Sequence, residues 1–248
     1  MKNMITSVQN QKVKYWKKLQ KRKGRIKAGM FLIEGYHLIE EAKRSNWDIH
    51  EIIIKEDQQV PDWCMDFTIE KVNKTVFHHI AQTESPQGII AVVKMNQTEC
   101  YPGNYMLLID AVQDPGNLGT MIRTADAAGF DAIILGEGTV DVYNDKVIRS
   151  TQGSLFHIPV LQRNLLETIS ILKKEGFRIW ASALSGAEPY NQIEVEDKVA
   201  LIIGNEGAGI QDTLLHEADS IVNIPIYGRA ESLNASIAAG ILMYYIRG

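Results

Sequence analysis

The sequence has only two cysteines, Cys64 and Cys100. Two thiols are too few for the disulfide framework of a small secreted domain or for a zinc ribbon. The six histidines form no close ligand set, so we expect no metal site. No apolar run approaches the ~18 residues that a membrane-spanning helix needs, and residues 1–6 lack the apolar core of a signal peptide. These absences predict a cytoplasmic protein with no membrane partner.

Acidic residues are missing from residues 1–33, although the whole chain has 30 acidic and 26 basic side chains. That stretch carries ten basic side chains, which leaves 16 basic against 30 acidic ones in the remainder. Clustered Lys and Arg favour a polyanion partner, because binding releases counterions from its phosphates. A solvated helix face is the alternative interpretation of such a charge run. The candidate polyanion-binding residues are Lys12, Lys14, Lys18, Lys21, Arg22, Lys23 and Arg25.

In residues 1–95, short apolar runs alternate irregularly with segments of helical periodicity. Apolar residues at helical spacing predict an amphipathic helix over residues 8–23, followed by a basic loop that contains Gly24 and Gly29. Apolar runs then alternate with helical segments up to residue 93, which predicts a small α/β domain over residues 1–95. Residues 96–104 have neither helical nor strand periodicity, and they form the predicted linker.

Residues 105–248 have a regular pattern in which fully apolar strands alternate with helices. This pattern predicts an α/β domain with a parallel sheet covered by helices on both faces. Ligands of such sheets bind at the carboxyl ends of the strands. Three segments that leave predicted strand ends are rich in polar residues and glycine, and we expect the functional site there. They are residues 110–125, 201–209 and 224–239.

The first segment contains Asn117 and Arg123. Asn117 can cap the helix that begins here by accepting a hydrogen bond from its first turn, and capping alone is the simpler interpretation. Arg123 lies among the apolar residues Met121, Ile122 and Ala125. A guanidinium in such a helix needs an anionic partner, either a carboxylate or a phosphate of a substrate.

The second segment is a predicted buried strand followed by Gly204, Gly207 and Gly209. Glycines let the backbone approach a flat or anionic ligand closely, although a sharp turn is a sufficient reason for them. The order Gly-x-x-Gly-x-Gly differs from the dinucleotide-binding fingerprint, and the chain has no Walker sequence.

The third segment predicts a short strand and then a helix from about residue 232 to residue 246. Ser232 is the predicted N-cap and Asn234 lies in the first turn beside it. We expect the small face of this helix to pack closely and to contact a second subunit. The bulky stripe contains Leu233, Ile237, Ile241 and Tyr245, and the small face contains Ala235, Ala238, Ala239 and Gly240.

Together, the three segments resemble the motifs of the SpoU-type RNA ribose 2′-O-methyltransferases of the SPOUT superfamily. The first motif, an Asn followed six residues later by an Arg, corresponds to Asn117 and Arg123. The second, a hydrophobic strand leading into Gly-Asn-Glu-Gly-x-Gly, corresponds to residues 203–209. The third, Ile-Pro-x-x-Gly-x-x-x-Ser-Leu-Asn-x-Ser, corresponds to residues 224–236, with Arg229 adding a positive charge at a variable position. Residues 1–95 resemble the small substrate-binding domain of many members.

The resemblance implies a C-terminal domain, residues 105–248, tied into a deep trefoil knot. It also implies a homodimer, S-adenosylmethionine as the cofactor, and ribosomal or transfer RNA as the substrate and polyanion. The implied catalytic residues are Asn117, Arg123, Glu206, Ser232 and Asn234. The implied cofactor-binding residues are Ala183, Leu184, Gly204, Glu206, Ile224, Ile226, Ser232 and Leu233.

Two roles for Arg123 follow from the chemistry. A ribose 2′-hydroxyl is a poor nucleophile at neutral pH, so it must be aligned and relieved of its proton. Arg123 either clamps a phosphate and stabilises the forming alkoxide, or acts as a base after strong desolvation, because a free guanidinium has a pKa above ~12. Asn117, Ser232 and Asn234 would position Arg123 and the nucleotide, and Glu206 would organise the site.

Three other functions are alternatives to a ribose methyltransferase. A base methyltransferase of the same superfamily is the nearest alternative enzyme, and a non-catalytic RNA-binding protein with the same fold is the alternative outside catalysis. A Ser-His-Asp hydrolase is disfavoured because Ser232 lacks a Gly-x-Ser-x-Gly elbow.

Overall fold

The computed structural model describes residues 4–96 and 103–248 of the chain. The described residues form two compact units, one with the residues up to Asn96 together with Tyr143–Phe156, and the other with the rest. The sequence pattern places residues 143–156 in the C-terminal domain, whereas their packing groups them with the N-terminal unit. Cys100 and most of the predicted linker over residues 96–104 lie outside the described residues.

Eleven strands and nine α-helices lie within the described residues. The strands are β1 (Met30–Glu34), β2 (Ile49–Lys55), β3 (Ile69–Val72), β4 (Ile89–Lys94), β5 (Tyr105–Ile109), β6 (Ala132–Leu135), β7 (Val160–Gln162), β8 (Arg178–Ser182), β9 (Glu188–Pro189), β10 (Val199–Ile203) and β11 (Ser220–Asn223). The helices are α1 (Gln11–Leu19), α2 (Arg22–Ala28), α3 (Tyr36–Arg44), α4 (Lys74–Ile80), α5 (Pro115–Ala127), α6 (Asp145–Thr151), α7 (Leu165–Lys174), α8 (Asp212–Leu215) and α9 (Ala235–Arg247). Among these helices, none has the length and apolarity needed to cross a membrane.

The N-terminal unit contains a four-stranded sheet in the order β1-β4-β2-β3. Strand β4 pairs antiparallel with both β1 and β2, and β2 pairs parallel with β3. Helices α1 and α4 cover one face, because their apolar stripes and alternate strand residues exclude water together. The side chains of this core include Val13, Trp16, Leu19, Leu32, Ile53, Val76, Phe77, Ile80, Ile90 and Val92.

An aromatic cluster explains why residues 143–156 belong to the N-terminal unit. The side chains of Phe31 and its neighbour Leu32 lie on opposite faces of β1, because side chains alternate along a strand. Its ring centroid lies 4.6 Å from that of Tyr143 and 6.0 Å from that of Trp47. The ring of Trp47 lies 5.2 Å from that of Phe156 in an edge-on arrangement. These rings hold the two ends of the 143–156 segment within this unit.

The basic N-terminal segment forms two helices, α1 and α2, so the prediction of one helix followed by a loop at residues 24–29 is wrong. Arg25 Nη1 donates to the carbonyl oxygens of Leu19 and Gln20 at 3.1 and 2.9 Å, which satisfies the carboxyl end of α1. A Cβ atom at Gly24 would lie 2.0 Å from the carbonyl oxygen of Lys18. Gly24 therefore permits the close turn between the two helices.

The C-terminal unit is built on a seven-stranded sheet in the order β7-β6-β5-β10-β8-β11-β9. Every pair of neighbouring strands is parallel, which confirms the predicted α/β fold class. The trefoil knot concerns the path of the connecting loops and stays a prediction from the resemblance. On one face, α7 and α8 cover a core that includes Met106, Leu108, Ile134, Leu165, Ile169, Leu172, Ala200, Ile202 and Leu214.

Helix α9 buries the bulky Leu242, Met243 and Ile246 together with small residues, whereas other bulky residues are exposed. Ala239 is fully buried, and a Cβ atom at Gly240 would lie 3.6 Å from Thr124 of α5. Ile237 and Tyr244, by contrast, are 53% and 57% exposed. Part of the small face therefore packs on α5 of the same chain. Contact of this face with a second subunit stays a prediction.

Candidate active site

The side-chain amide of Asn117 connects the three segments that the sequence singles out. Its Nδ2 donates to Glu206 Oε1 at 3.0 Å, and its Oδ1 accepts from Asn234 Nδ2 at 3.0 Å. Asn234 Oδ1 accepts in turn from Ser236 Oγ at 2.7 Å. These bonds bring together three of the five residues that the resemblance implies to be catalytic. They also determine the orientation of both amides, because each oxygen faces a donor.

Glu206 organises the start of the first segment. Its carboxylate accepts from the backbone nitrogens of Gln113 and Asp114 at 3.2 and 3.1 Å, besides the bond from Asn117. Burial alone would raise the pKa of Glu206, but the hydrogen bonds from Asn117 and from those two backbone groups lower the pKa below its ordinary value. Glu206 is therefore an anion at neutral pH, with its charge directed at the loop before α5.

The two helices of the site begin at caps other than the predicted ones. Asp114 caps α5, with its Oδ1 accepting from the backbone nitrogen of Asn117 at 2.8 Å, and Pro115 occupies the first helical position that proline favours. Asn234 caps α9 by accepting from the backbone nitrogen of Ser236 at 2.9 Å. The predictions of Asn117 and Ser232 as caps are wrong. Because Asp114 does the capping, the side chain of Asn117 can reach the other two segments.

The glycine-rich loop after β10 is folded onto itself. The backbones of Asn205 and Gly209 exchange two hydrogen bonds of 2.9 and 3.0 Å. The side chain of Asn205 accepts from the backbone nitrogen of Gly207 at 2.9 Å and donates to the carbonyl of Ala111 at 2.8 Å. A Cβ atom at Gly204 would lie 2.3 Å from the backbone of Gly209. Close backbone approach therefore requires the glycine at position 204.

A buried carboxylate at the end of β5 was missed by the sequence reasoning. Asp110 is 1% exposed, and its two oxygens accept from the backbone nitrogen and the side-chain nitrogen of Gln211 at 2.8 and 2.7 Å. This pair holds the segment before α8 against the end of β5. The available signal was a charged residue placed directly after a fully apolar strand.

A cavity of about 470 Å³ opens beside this network, between the loops that follow β8, β10 and β11 and the start of α9. All eight implied cofactor-binding residues line it: Ala183, Leu184, Gly204, Glu206, Ile224, Ile226, Ser232 and Leu233. Further lining residues, beyond these eight, include Ser182, Ser185, Asn205, Asp212, Ala235 and Ala238. The lining contains the carboxylates of Glu206 and Asp212 and no Lys, Arg or His among the described residues.

Arg123 and Ser232 lie outside the hydrogen-bonded network. Arg123 is exposed on α5, and within residues 4–96 and 103–248 it has no ion pair or hydrogen bond, so the carboxylate partner considered for it is not found there. Ser232 is exposed and lines the cavity. Their side chains are accessible to bound molecules.

The seven predicted polyanion-binding residues of the N-terminal unit divide into two groups. Lys12 Nζ lies 2.8 Å from Glu70 and 3.2 Å from Glu51, and both carboxylates are buried. Arg25 is 5% exposed and bonded to the end of α1. Both side chains are engaged in holding the unit together. The other five are exposed: Lys14, Lys18, Lys21, Arg22 and Lys23.

The fold and the site define a class: a parallel α/β domain with a small-molecule cavity at the carboxyl ends of its strands, preceded by a basic α/β unit. The SpoU rRNA Methylase family matches residues 104–244, and the MRM3-like substrate binding domain matches residues 10–91. The 23S rRNA (guanosine(2553)-2′-O)-methyltransferase RlmP of Bacillus subtilis (strain 168) is 49% identical over 98% of this chain and 99% of its own length. The chain belongs to the SpoU rRNA methylase family.

Solved structures agree with this membership. The AdoMet-bound rRNA methyltransferase from Sinorhizobium meliloti superposes with a TM-score of 0.90 at 32% identity, covering 99% of this chain and 97% of its own. The SpoU methyltransferase AviRb from Streptomyces viridochromogenes, in complex with AdoMet, has a TM-score of 0.88 at 26% identity, covering 96% and 97%. The likeness therefore extends over both units of the chain.

Proposed function

We propose that this protein transfers the methyl group of S-adenosylmethionine to a ribose 2′-hydroxyl of ribosomal RNA in the cytoplasm. The observation that carries the proposal is the bonded series Glu206–Asn117–Asn234, which joins all three motif segments and reaches the cavity through Glu206. The 49% identity to a 23S rRNA 2′-O-methyltransferase supports ribosomal over transfer RNA.

The cavity fits S-adenosylmethionine. Its volume of about 470 Å³ lies in the usual range for small-ligand sites. Its lining mixes apolar side chains such as Ile224 and Leu233 with the backbone of the glycine-rich loop and two carboxylates. The carboxylates suit a cofactor with a sulfonium and an ammonium group. When bound, the cofactor supplies an activated methyl group whose departure neutralises the sulfonium.

Arg123 acts on the RNA as a phosphate clamp in this proposal. A guanidinium acts as a base only where desolvation lowers its pKa by several units, and Arg123 is exposed in this chain. An exposed guanidinium can instead bind a phosphate through two parallel hydrogen bonds and stabilise negative charge as it develops on the 2′-oxygen. Asn117 and Asn234 position the start of α5 and α9 for this contact, and Ser232 faces the cavity.

The N-terminal unit contributes RNA affinity. We assign residues 1–95 to RNA binding and residues 105–248 to catalysis, with residues 143–156 packed in the N-terminal unit. The exposed Lys14, Lys18, Lys21, Arg22 and Lys23 provide the positive charge, whereas Lys12 and Arg25 are engaged in internal contacts. We also propose that the protein forms a homodimer through the exposed residues of α9.

The experiment that tests the proposal measures methyl transfer from labelled S-adenosylmethionine to ribosomal RNA, followed by nucleoside mass spectrometry. A 2′-O-methylated nucleoside is the expected product, and Arg123→Lys should lower kcat by about 10²-fold because it removes the bidentate clamp. A base-methylated nucleoside would overturn the ribose assignment. No heat of S-adenosylmethionine binding in calorimetry would overturn the enzyme assignment in favour of a non-catalytic RNA-binding protein.

A further inference from the structure

Tyr227 is 94% exposed, more than any other large apolar or aromatic side chain among the described residues. Its ring has no stacking partner and its hydroxyl no hydrogen bond within that part of the chain. Exposing an aromatic ring forgoes the free energy that its burial would contribute. A ring that is exposed in this way, next in the chain to a residue that lines the cavity, is available to a bound molecule.

The position of Tyr227 connects it to the cavity. It belongs to the stretch between β11 and α9, and the residue before it, Ile226, lines the cavity. Ser232 and Leu233, at the far end of the same stretch, line the cavity as well. A Cβ atom at Gly228 would have nothing within 4 Å, so the tip of the stretch is open on that side. Tyr227 therefore directly follows a residue of the cavity wall, in a stretch whose two ends both line the cavity.

A positive charge accompanies the ring. Arg229 is exposed two residues after Tyr227 and has no ion pair among the described residues, although the exposed Glu231 is close in sequence. The cavity lining itself has no basic side chain. An exposed aromatic ring two residues from an exposed guanidinium matches the two chemical parts of a nucleotide, a flat base and a phosphate.

We propose that Tyr227 stacks on a nucleobase of the RNA substrate close to the target ribose, while Arg229 contacts a neighbouring phosphate. The inference rests on the proposed function. A 2′-hydroxyl that must enter a site is most accessible in unpaired RNA, whose bases are free to stack on aromatic side chains. A second copy of the chain is the less fitting occupant, because the exposed charges of Arg229 and Glu231 follow Tyr227 within four residues and interface cores are depleted in charge.

The test compares Tyr227→Ala with the conservative Tyr227→Phe in steady-state methyl transfer to a ribosomal RNA fragment. Stacking on one base corresponds to about a tenfold or larger change in affinity. We expect Tyr227→Ala to raise KM for RNA by about that factor with a smaller change in kcat, and Tyr227→Phe to restore KM because it keeps the ring. Ile171→Ala, at a 53% exposed apolar residue of α7, is the matched control.

Two further measurements on the same variants separate the possible occupants. Calorimetry should give Tyr227→Ala the wild-type Kd for S-adenosylmethionine, and light scattering should give it the wild-type mass. An unchanged KM for RNA, a weakened cofactor Kd or a reduced mass would each overturn the inference. If the wild-type protein itself methylates no ribosomal RNA, the proposed function fails, whereas wild-type activity with an unaffected Tyr227→Ala refutes only the role of the ring.

Discussion

Asn234 Nδ2 donates to Asn117 Oδ1 over 3.0 Å, joining two residues that are 117 positions apart in the chain. One residue caps α9 and the other lies in the first turn of α5. The bond therefore couples the beginnings of two helices, and through Glu206 it couples both to the loop after β10. The amide of Asn117 lies at the centre of this network, because it donates to Glu206 and accepts from Asn234.

Asn117→Asp should lower kcat strongly. The new carboxylate cannot donate to Glu206 and would repel it, and losing a hydrogen bond to a charged group corresponds to about a 10- to 100-fold effect. Single-turnover methyl transfer measures the change. Asn164→Asp is the matched control, because Asn164 caps α7 through its Oδ1 and aspartate retains that oxygen. Equal rates for wild type and Asn117→Asp would contradict the role of the amide.

Acid should remove the contribution of Glu206 to stability. The pKa of Glu206 is lowered in the folded protein. Its ionised carboxylate therefore stabilises the fold at pH values above the ordinary pKa of 4.5, and this stabilisation is lost as the pH falls through the lower pKa of the folded state. Urea unfolding of wild type and Glu206→Gln should therefore differ near neutral pH and converge in acid. Glu137→Gln, at an exposed carboxylate, is the control for general charge effects. A difference that persists below the folded pKa would contradict this account.

Lys12→Met should destabilise the N-terminal unit. The change leaves Glu51 and Glu70, which are 4% and 5% exposed, without their shared cation. Burial lowers the pKa of Lys12, but its hydrogen bonds to Glu70 and Glu51 raise the pKa above 10.5, so the stabilisation is fully present at neutral pH. We expect a loss of about 1 to 3 kcal/mol, less than for a fully buried pair because the ammonium is half exposed. Chemical denaturation measures the free energy of unfolding of the wild type and Lys12→Met, with Lys14→Met as the control. Equal free energies of unfolding for the wild type and Lys12→Met would refute the role of Lys12.

Lys18→Gln should weaken RNA binding without affecting stability. Its side chain is exposed on α1, and each phosphate contact contributes about 0.7 to 0.9 to the slope of log K against log salt concentration. Binding titrations of a ribosomal RNA fragment at several salt concentrations should give a slope reduced by that amount. Lys174→Gln on α7 provides the comparison. An identical slope for Lys18→Gln would remove this lysine from the RNA surface.

Ile237→Asp should dissociate the proposed homodimer. Ile237 is 53% exposed on the face of α9 that α5 leaves uncovered, and a carboxylate in an apolar interface loses its hydration. Light scattering should report the mass of one chain instead of two. Ile171→Asp, also at a 53% exposed isoleucine, should leave the mass unchanged. A wild-type protein that scatters as a single chain would refute the dimer itself.

The sequence alone determined the α/β class and the parallel sheet, and its resemblance to a known family implied eight of the residues that line the cavity. Uninterrupted apolar runs such as β5 and β10 are detectable locally because strands buried on both faces need apolar side chains throughout. The motif spacing then identified the three segments, since polar and glycine residues at strand ends stand out against that background. A strand as short as β9, with two residues, carries no such signal.

The tertiary structure decided everything that depends on which distant groups meet. Capping by Asp114 instead of Asn117 follows from the helix starting at Pro115, and the free amide of Asn117 then finds Glu206 and Asn234. The internal roles of Lys12 and Arg25 depend on partners elsewhere in the fold, so a count of charges cannot separate them from the exposed lysines. Local periodicity records which side chains avoid water, whereas hydrogen-bond partners are set by distances that only the folded chain defines.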